Sequence, residues 1–197
     1  MTDVTLASAS ASRAAILRAA GVDFCVVAAG VDEAAVKAQM IGAGADARQI
    51  AQELAQRKAM QVSREHAGLV IGADQTLELE GAVYDKPEDQ ARAREQLERL
   101  RGRTHQLHAA VAVAREGRIL WATADTARLT MRPFSDRFLN GYLERQSEAL
   151  LATVGAYRLE GEGVQLFEAI DGDYFSILGL PLLGLLALLR REGALDP

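Results

Sequence analysis

The segment Gly68-Leu-Val-Ile-Gly-Ala-Asp-Gln-Thr-Leu77 sets a carboxylate among apolar residues. A short apolar run bounded by glycine reads as a buried strand. An acid at the end of such a strand costs free energy unless it is paired, binds a metal or does chemistry. Ligands of open α/β sheets sit at the carboxyl ends of strands, so Asp74 is the first candidate for a catalytic group. Lys58 is a second anomaly, because it shares a helical row with Ile50, Leu54 and Val62. A lysine stem snorkelling out of that row and an ammonium facing an anion explain it equally well.

Leu6-Ala-Ser-Ala-Ser-Ala-Ser-Arg13 joins a strand to the start of a helix. Its hydroxyls, free N–H groups, helix dipole and Arg13 could hold a phosphate. It lacks the Gly-Lys-Ser/Thr of a P-loop. Taken alone, it is explained by a serine cap with Arg13 on a surface turn. Asp32-Glu33 could simply cap a helix, and Lys86-Pro87 could be a solvated turn. His105 and His108, three apart on a strand, point to opposite faces, and without a third ligand they make no zinc site. Glu78 and Glu80 alternate with Leu77 and Leu79, as on a half-exposed strand.

Together, Glu33 and Asp74 at strand ends, the cations Arg13, Lys58 and Lys86, and a hydroxyl-rich helix entrance form one constellation. Cations bind phosphates, while carboxylates hold a hard divalent ion and activate water. The combination suits phosphoryl chemistry on a polyphosphate.

The elements that must position these groups alternate along the chain. Val4 to Ala7 and Phe24 to Ala28 read as strands, with a helix from Ser12 to Ala20 between them, closed by Gly21. Asp46 caps a long helix running to about His66. Leu69 to Ala73 and Thr76 to Leu79 read as strands on either side of Asp74, and Glu88 to Arg101 as a charged helix. His105 to Ala114 and Arg118 to Thr130 form a hairpin around Glu116-Gly117. Ser135 caps a helix to about Arg145, and Gln165 to Ala169 is a strand. Pro181 opens the last helix, which ends at Arg190, Arg191 and Gly193. The class is α/β.

At 197 residues the chain suits one domain, or one domain with two lobes. A net charge of −5 argues against a broad nucleic-acid or anionic-membrane surface, so an anionic substrate needs a local cationic pocket. Cys25 is the only cysteine, which excludes an internal disulfide and fits a cytoplasmic compartment. The start Met1-Thr-Asp-Val-Thr-Leu-Ala-Ser lacks the pattern of a signal peptide. Phe175 to Leu189 is apolar but too short to span a bilayer, and reads as a buried core helix.

Residues 1–197 resemble the Maf family of nucleoside triphosphate pyrophosphatases. The likeness rests on Leu6-Ala-Ser-Ala-Ser-x-x-Arg13, Asp32-Glu33, Arg57-Lys58-Ala59, Gly72-Ala-Asp-Gln75, Lys86-Pro87, Gly102-Arg-Thr-His105 and Gly179-Leu-Pro181. It implies a curved mixed sheet flanked by helices, two lobes around a deep substrate cleft, and cleavage between the α and β phosphates. By the same resemblance Asp74 is the base for the attacking water, and Ser8, Arg13, Lys58 and Lys86 bind the triphosphate. Glu33 and Asp74 would hold a divalent metal, Mg2+ or Mn2+. Ala11 departs from the family, which commonly has proline there. The implied partner is a small-molecule nucleoside triphosphate, without nucleic acid or membrane. Family members are similar to homodimers, although no self-complementary patch is visible in these residues.

Ser12, Gln75 and Glu160 occupy the positions that resemble substrate selectors in the family. Glutamine and glutamate at the last two resemble the branch acting on 7-methyl-GTP, whereas threonine and glutamine mark the branch acting on dTTP and UTP. Ser12 matches neither branch. Tyr157-Arg-Leu-Glu-Gly-Glu-Gly163 also looks like the 7-methyl-GTP branch. A carboxylate at Glu160 accepts the two N–H donors of guanine's pairing edge and favours a cationic methylated base. The alternatives are a dTTP/UTP pyrophosphatase of the same family, or a nucleotide-binding regulator of septum formation without significant turnover.

Overall fold

The computed structural model describes residues 3–196; the start of the chain, which lacks the pattern of a signal peptide, therefore lies partly outside the described residues. Seven strands and seven α-helices follow in the order β1 (Val4–Ala7), α1 (Ala11–Ala19), β2 (Cys25–Val26), α2 (Glu33–Gly42), α3 (Ala47–Ser63), β3 (Leu69–Leu79), β4 (Ala82–Tyr84), α4 (Gln90–Leu100), β5 (Thr104–Arg115), β6 (Arg118–Met131), α5 (Asp136–Gln146), β7 (Phe167–Asp171), α6 (Tyr174–Ile177) and α7 (Leu182–Arg191). The sheet runs β2-β1-β3-β5-β6-β7, with β4 against β3. It is mixed: β1 pairs parallel with β2 and β3, whereas β3–β4 and β6–β7 are antiparallel.

The chain divides into two compact units. The first comprises Met1–Gln75, His108–Asp125 and Asp173–Pro197; the second comprises Thr76–Leu107 and Thr126–Gly172. In the first, strand alternation sorts the side chains between two helical layers. Leu69, Ile71 and Ala73 join Leu6, Val111 and Val113 in a core with Leu17 of α1 and Leu185 and Leu189 of α7. Ala110, Ala112 and Ala114 meet Ala51, Ala55 and Ala59 of α3 in an alanine-lined layer. Gly72 lies on that side too, and a Cβ there would come within 2.5 Å of Ala59 N and closer still to Ala55 O. Small residues thus let α3 lie directly on the β3 backbone.

The helix starts follow the sequence signals. Asp46 caps α3 in a capping box with Gln49, its carboxylate accepting from Gln49 N at 2.7 Å. Asp32 caps α2 and Ser135 caps α5. The hairpin tip Glu116-Gly117 has positive φ at both residues, the geometry a two-residue turn needs.

Other elements differ from the sequence reading. β2 is two residues long, because only Cys25 and Val26 stand in register with β1, and Val27 adds a single N–H bond to Leu6 O at 3.0 Å. α3 stops at Ser63, short of His66. β7 begins at Phe167, since Glu162–Leu166 is wound as a 3-10 turn. Glu80 lies in the β3–β4 turn with positive φ, not on a strand. The apolar run 175–189 is two helices, α6 and α7, broken at Gly179-Leu-Pro181 by positive φ at Gly179 and the missing N–H of Pro181. No helix among the described residues is long and apolar enough to cross a membrane.

The second unit buries an aromatic cluster: His105 contacts Tyr157 and Phe167, and His105 Nε2 lies 2.7 Å from the Tyr157 hydroxyl. Burial pushes His105 from 6.5 down to about 4. Between those values the unfolded chain binds a proton that the folded imidazole refuses, so stability is complete above about 6.5 and falls as the pH drops toward 4. The full effect is roughly 3 kcal/mol. His105→Gln should flatten this slope in denaturant titrations between pH 4.5 and 7; identical slopes in both proteins would remove His105 as its cause.

Candidate active site

The site of the first unit begins with the contact between α3 and β3. Ile50, Leu54, Lys58 and Val62 form one buried row of α3, and the close approach over Gly72 carries Lys58 onto the β3 face that bears Asp74. Lys58 Nζ lies 2.6 Å from Asp74 Oδ1 and 2.6 Å from Glu33 Oε1. Asp74 and Lys58 are both buried, while the Glu33 side chain is 47% exposed. One ammonium thus bridges a buried and a solvent-facing carboxylate.

Asp74 is not at the end of a strand, as the sequence suggested; β3 runs through it without a break. Pairing with Lys58 removes the reason for the strand to stop at the acid. It is the neighbour that ends: the β1 pairing finishes at Ala7↔Gly72, and the β4 pairing begins only at Leu77↔Tyr84. Glu33 likewise opens α2 rather than closing a strand.

The serine turn is more than a cap. Ser10 does cap α1, accepting from Arg13 N at 3.4 Å. The buried Ser8 hydroxyl accepts from Arg13 Nη1 at 3.1 Å and from Ser10 N at 3.3 Å. With both lone pairs engaged, what Ser8 retains is its O–H donor, which suits an anionic oxygen. Arg13 also donates through Nε to Gly179 O and through Nη1 to Ala73 O, both at 2.9 Å. Its burial lowers the guanidinium pKa, and the charges of Asp74 and Glu33 oppose that shift. Nη2 has no hydrogen bond among the described residues, so its two N–H groups are available to a ligand.

Gln75 points to the face opposite Asp74. Its Nε2 donates to the Ser176 and Ile177 carbonyls of α6 at 3.1 and 2.9 Å. Two carbonyl partners fix the amide orientation, so Gln75 can offer a ligand only its Oε1 acceptor. Ser12 is half-buried on the first turn of α1. The first unit therefore unites Ser8, Ser12, Arg13, Glu33, Lys58, Asp74 and Gln75. Lys86, exposed after β4, and Glu160, exposed after Tyr157, belong to the second unit. Gly179 and Gly72 do work that their place in the sequence motifs does not announce, a carbonyl for Arg13 and a seat for α3.

Glu33 and Asp74, both in contact with Lys58 Nζ in this structure, are the oxygen donors that could serve a hard divalent cation, since Mg2+ commonly takes one or two protein carboxylates and completes its shell with phosphate oxygens and water. Among the described residues no group of three His, Cys, Asp or Glu gathers into an all-protein metal cage.

A buried ion pair beside a hydroxyl and guanidinium cradle, on an α/β sheet, gathers donors of the kind that bind an anion. The sequence profile of the Maf-like protein family matches residues 3–192, and the chain belongs to that family. A nucleoside triphosphate pyrophosphatase of Caulobacter vibrioides is 55% identical over 99% of this chain and 98% of its own. Relatives named 7-methyl-GTP pyrophosphatase include those of Brucella abortus, 48% identical over 98% of each chain, and Rhizobium meliloti, 47% identical over 97% and 96%. Those names denote hydrolases. Among solved structures, a HAM1 protein from Coxiella burnetii aligns over 68% of this chain and 75% of its own, at 15% identity and a TM-score of 0.45, from which nothing further follows.

Lys58→Met leaves Asp74 buried without its counter-ion and should cost about 3–5 kcal/mol. Asp74→Asn leaves Lys58 its Glu33 partner and should cost less. Urea denaturation of both variants checks the order; the reverse order would mean that the buried acid does not need the ammonium.

Proposed function

We propose that this chain hydrolyses the α–β phosphoanhydride of a nucleoside triphosphate, giving a nucleoside monophosphate and pyrophosphate, with 7-methyl-GTP as the preferred substrate. The observation that carries this reading is the buried Asp74–Lys58 pair beside the Ser8–Arg13 cradle.

Asp74 accepts a proton from the attacking water as its oxygen bonds to the α-phosphorus. The bond from that phosphorus to the bridging oxygen breaks, and pyrophosphate departs with the electron pair. Lys58 Nζ, Arg13 Nη2 and the Ser8 hydroxyl stabilise the added negative charge. Preorganised donors of this kind supply most of the catalysis in phosphoryl transfer, which needs positioning and charge neutralisation more than covalent help. A divalent ion held by Glu33 and Asp74 would supply further neutralisation of phosphate charge.

Base choice is assigned to Ser12, Gln75 and Glu160. Gln75 offers only an acceptor and Glu160 is a carboxylate, so both suit the N–H donors of guanine better than the acceptor-rich edge of uracil or thymine. The relatives named for 7-methyl-GTP support the same choice, and a positively charged base gains further from Glu160.

Asp74→Asn should lower turnover roughly 10²–10³-fold while nucleotide still binds. Pyrophosphate release from 7-methyl-GTP, GTP, dTTP and UTP with Mg2+ or Mn2+ tests this, and full activity in the variant would remove the base. Glu160→Gln should cost the guanine substrates about 1–3 kcal/mol and admit UTP. An unchanged substrate profile would leave Glu160 without a selecting role.

A further inference from the structure

Glu160 does not stand alone in its loop. Arg158 directs Nε and Nη2 at the same carboxylate oxygen, Oε1, at 3.2 and 3.0 Å. We propose that Arg158 is a specificity-tuning residue that acts through Glu160: it offsets the carboxylate charge and so sets how strongly a cationic, methylated guanine is preferred over guanine. This rests on the assignment of Glu160 as the base selector.

The loop is built to hold this pair in place. On its N-terminal side, Gly155 and Ala156 both have positive φ, and the Tyr142 hydroxyl donates to the Ala156 carbonyl at 3.3 Å. Tyr157 is buried, with its hydroxyl against His105. On the far side, the Glu162 carboxylate is gripped by Arg145 and by Gln146 Nε2 at 3.0 Å. Gly163 packs onto the Arg158 backbone, where a Cβ would lie 2.8 Å from Arg158 N and closer still to its carbonyl oxygen. Between these fixed points the Arg158 and Glu160 side chains remain 45% and 28% exposed, open to a ligand. A surface pair two residues apart adds little stability. Its effect is electrostatic and local.

A guanidinium in contact turns the carboxylate from a monopole toward a dipole. Hydrogen bonds from a neutral guanine depend mainly on contact geometry and are little altered. A base with a formal positive charge loses the longer-range part of its attraction. At partial exposure, screening keeps the difference modest.

The test measures kcat/KM for 7-methyl-GTP and GTP in wild type, Arg158→Gln, Arg158→Lys, Glu160→Gln and the double Gln variant, with thermal melts to verify folding. Arg158→Gln should raise the 7-methyl-GTP to GTP ratio by roughly three- to tenfold, chiefly through KM. Arg158→Lys keeps the charge and should stay near wild type, and the double variant should lose the gain. An unchanged ratio in Arg158→Gln, an equal loss for both substrates, or a gain that survives without the Glu160 carboxylate would overturn the proposal. If Glu160→Gln shifts the profile while Arg158→Gln does not, the selector stands and the tuning role falls. If Glu160→Gln changes nothing, the selector assignment fails first.

Discussion

The structure of the first unit turns on an ammonium and a carboxylate that share a buried contact, Lys58 with Asp74. Taking both charges out of water costs several kcal/mol per ion before their attraction and hydrogen bonding offset it, so an apolar pair of similar volume would often serve stability as well. Glu33 extends the pair to the surface, and one lysine therefore connects a buried acid to one that solvent can reach. That gradient suits chemistry on an anion entering from water.

The period of a β-strand does the rest of the arranging. In the first half of β3, Val70, Gly72 and Asp74 face α3, which puts Gly72 against the helix backbone and Asp74 within reach of Lys58. Leu69, Ile71, Ala73 and Gln75 face the other layer, so Ala73 packs in the core and Gln75 fastens to the carbonyls at the end of α6. Arg13 ties β3 to the turn after α6 by donating to the Ala73 carbonyl and the Gly179 carbonyl. Two adjacent residues of one strand, Asp74 and Gln75, are thereby committed to different tasks. The second unit applies comparable care to a single loop, where buried Tyr157 and clamped Glu162 bracket Glu160.

Much of this was legible in the residues. The capping acids Asp32 and Asp46, the Ser135 cap, the Glu-Gly hairpin tip and the span of β1 announced themselves through local chemistry, because caps and tight turns are settled by neighbours in sequence. Lys58 stood out because it interrupted an apolar row. The misreadings came where partners are distant. Asp74 looked like a strand end because its counter-ion, sixteen positions earlier, is invisible to a window of ten residues. Phe24 to Ala28 looked like a longer strand because β propensity ignores how much of a neighbour is available for pairing. The run from Phe175 looked like one helix because apolar content alone does not register the turn at Gly179 that Arg13 grips.

The sequence by itself determined the chemical inventory and the local geometry: which acids, cations and hydroxyls exist, where helices start, and on which face of a strand or helix each group falls. These follow from side-chain chemistry and fixed backbone periods. Only the tertiary structure decided which of those groups meet. That Lys58 answers Asp74 rather than snorkelling, that Gln75 retains only an acceptor, and that Arg158 leans on Glu160 all depend on partners fixed by packing or loop closure. No local rule specifies the first two, because each is set by the close approach of separately formed backbone segments, and the third rests on a loop closed by its packing.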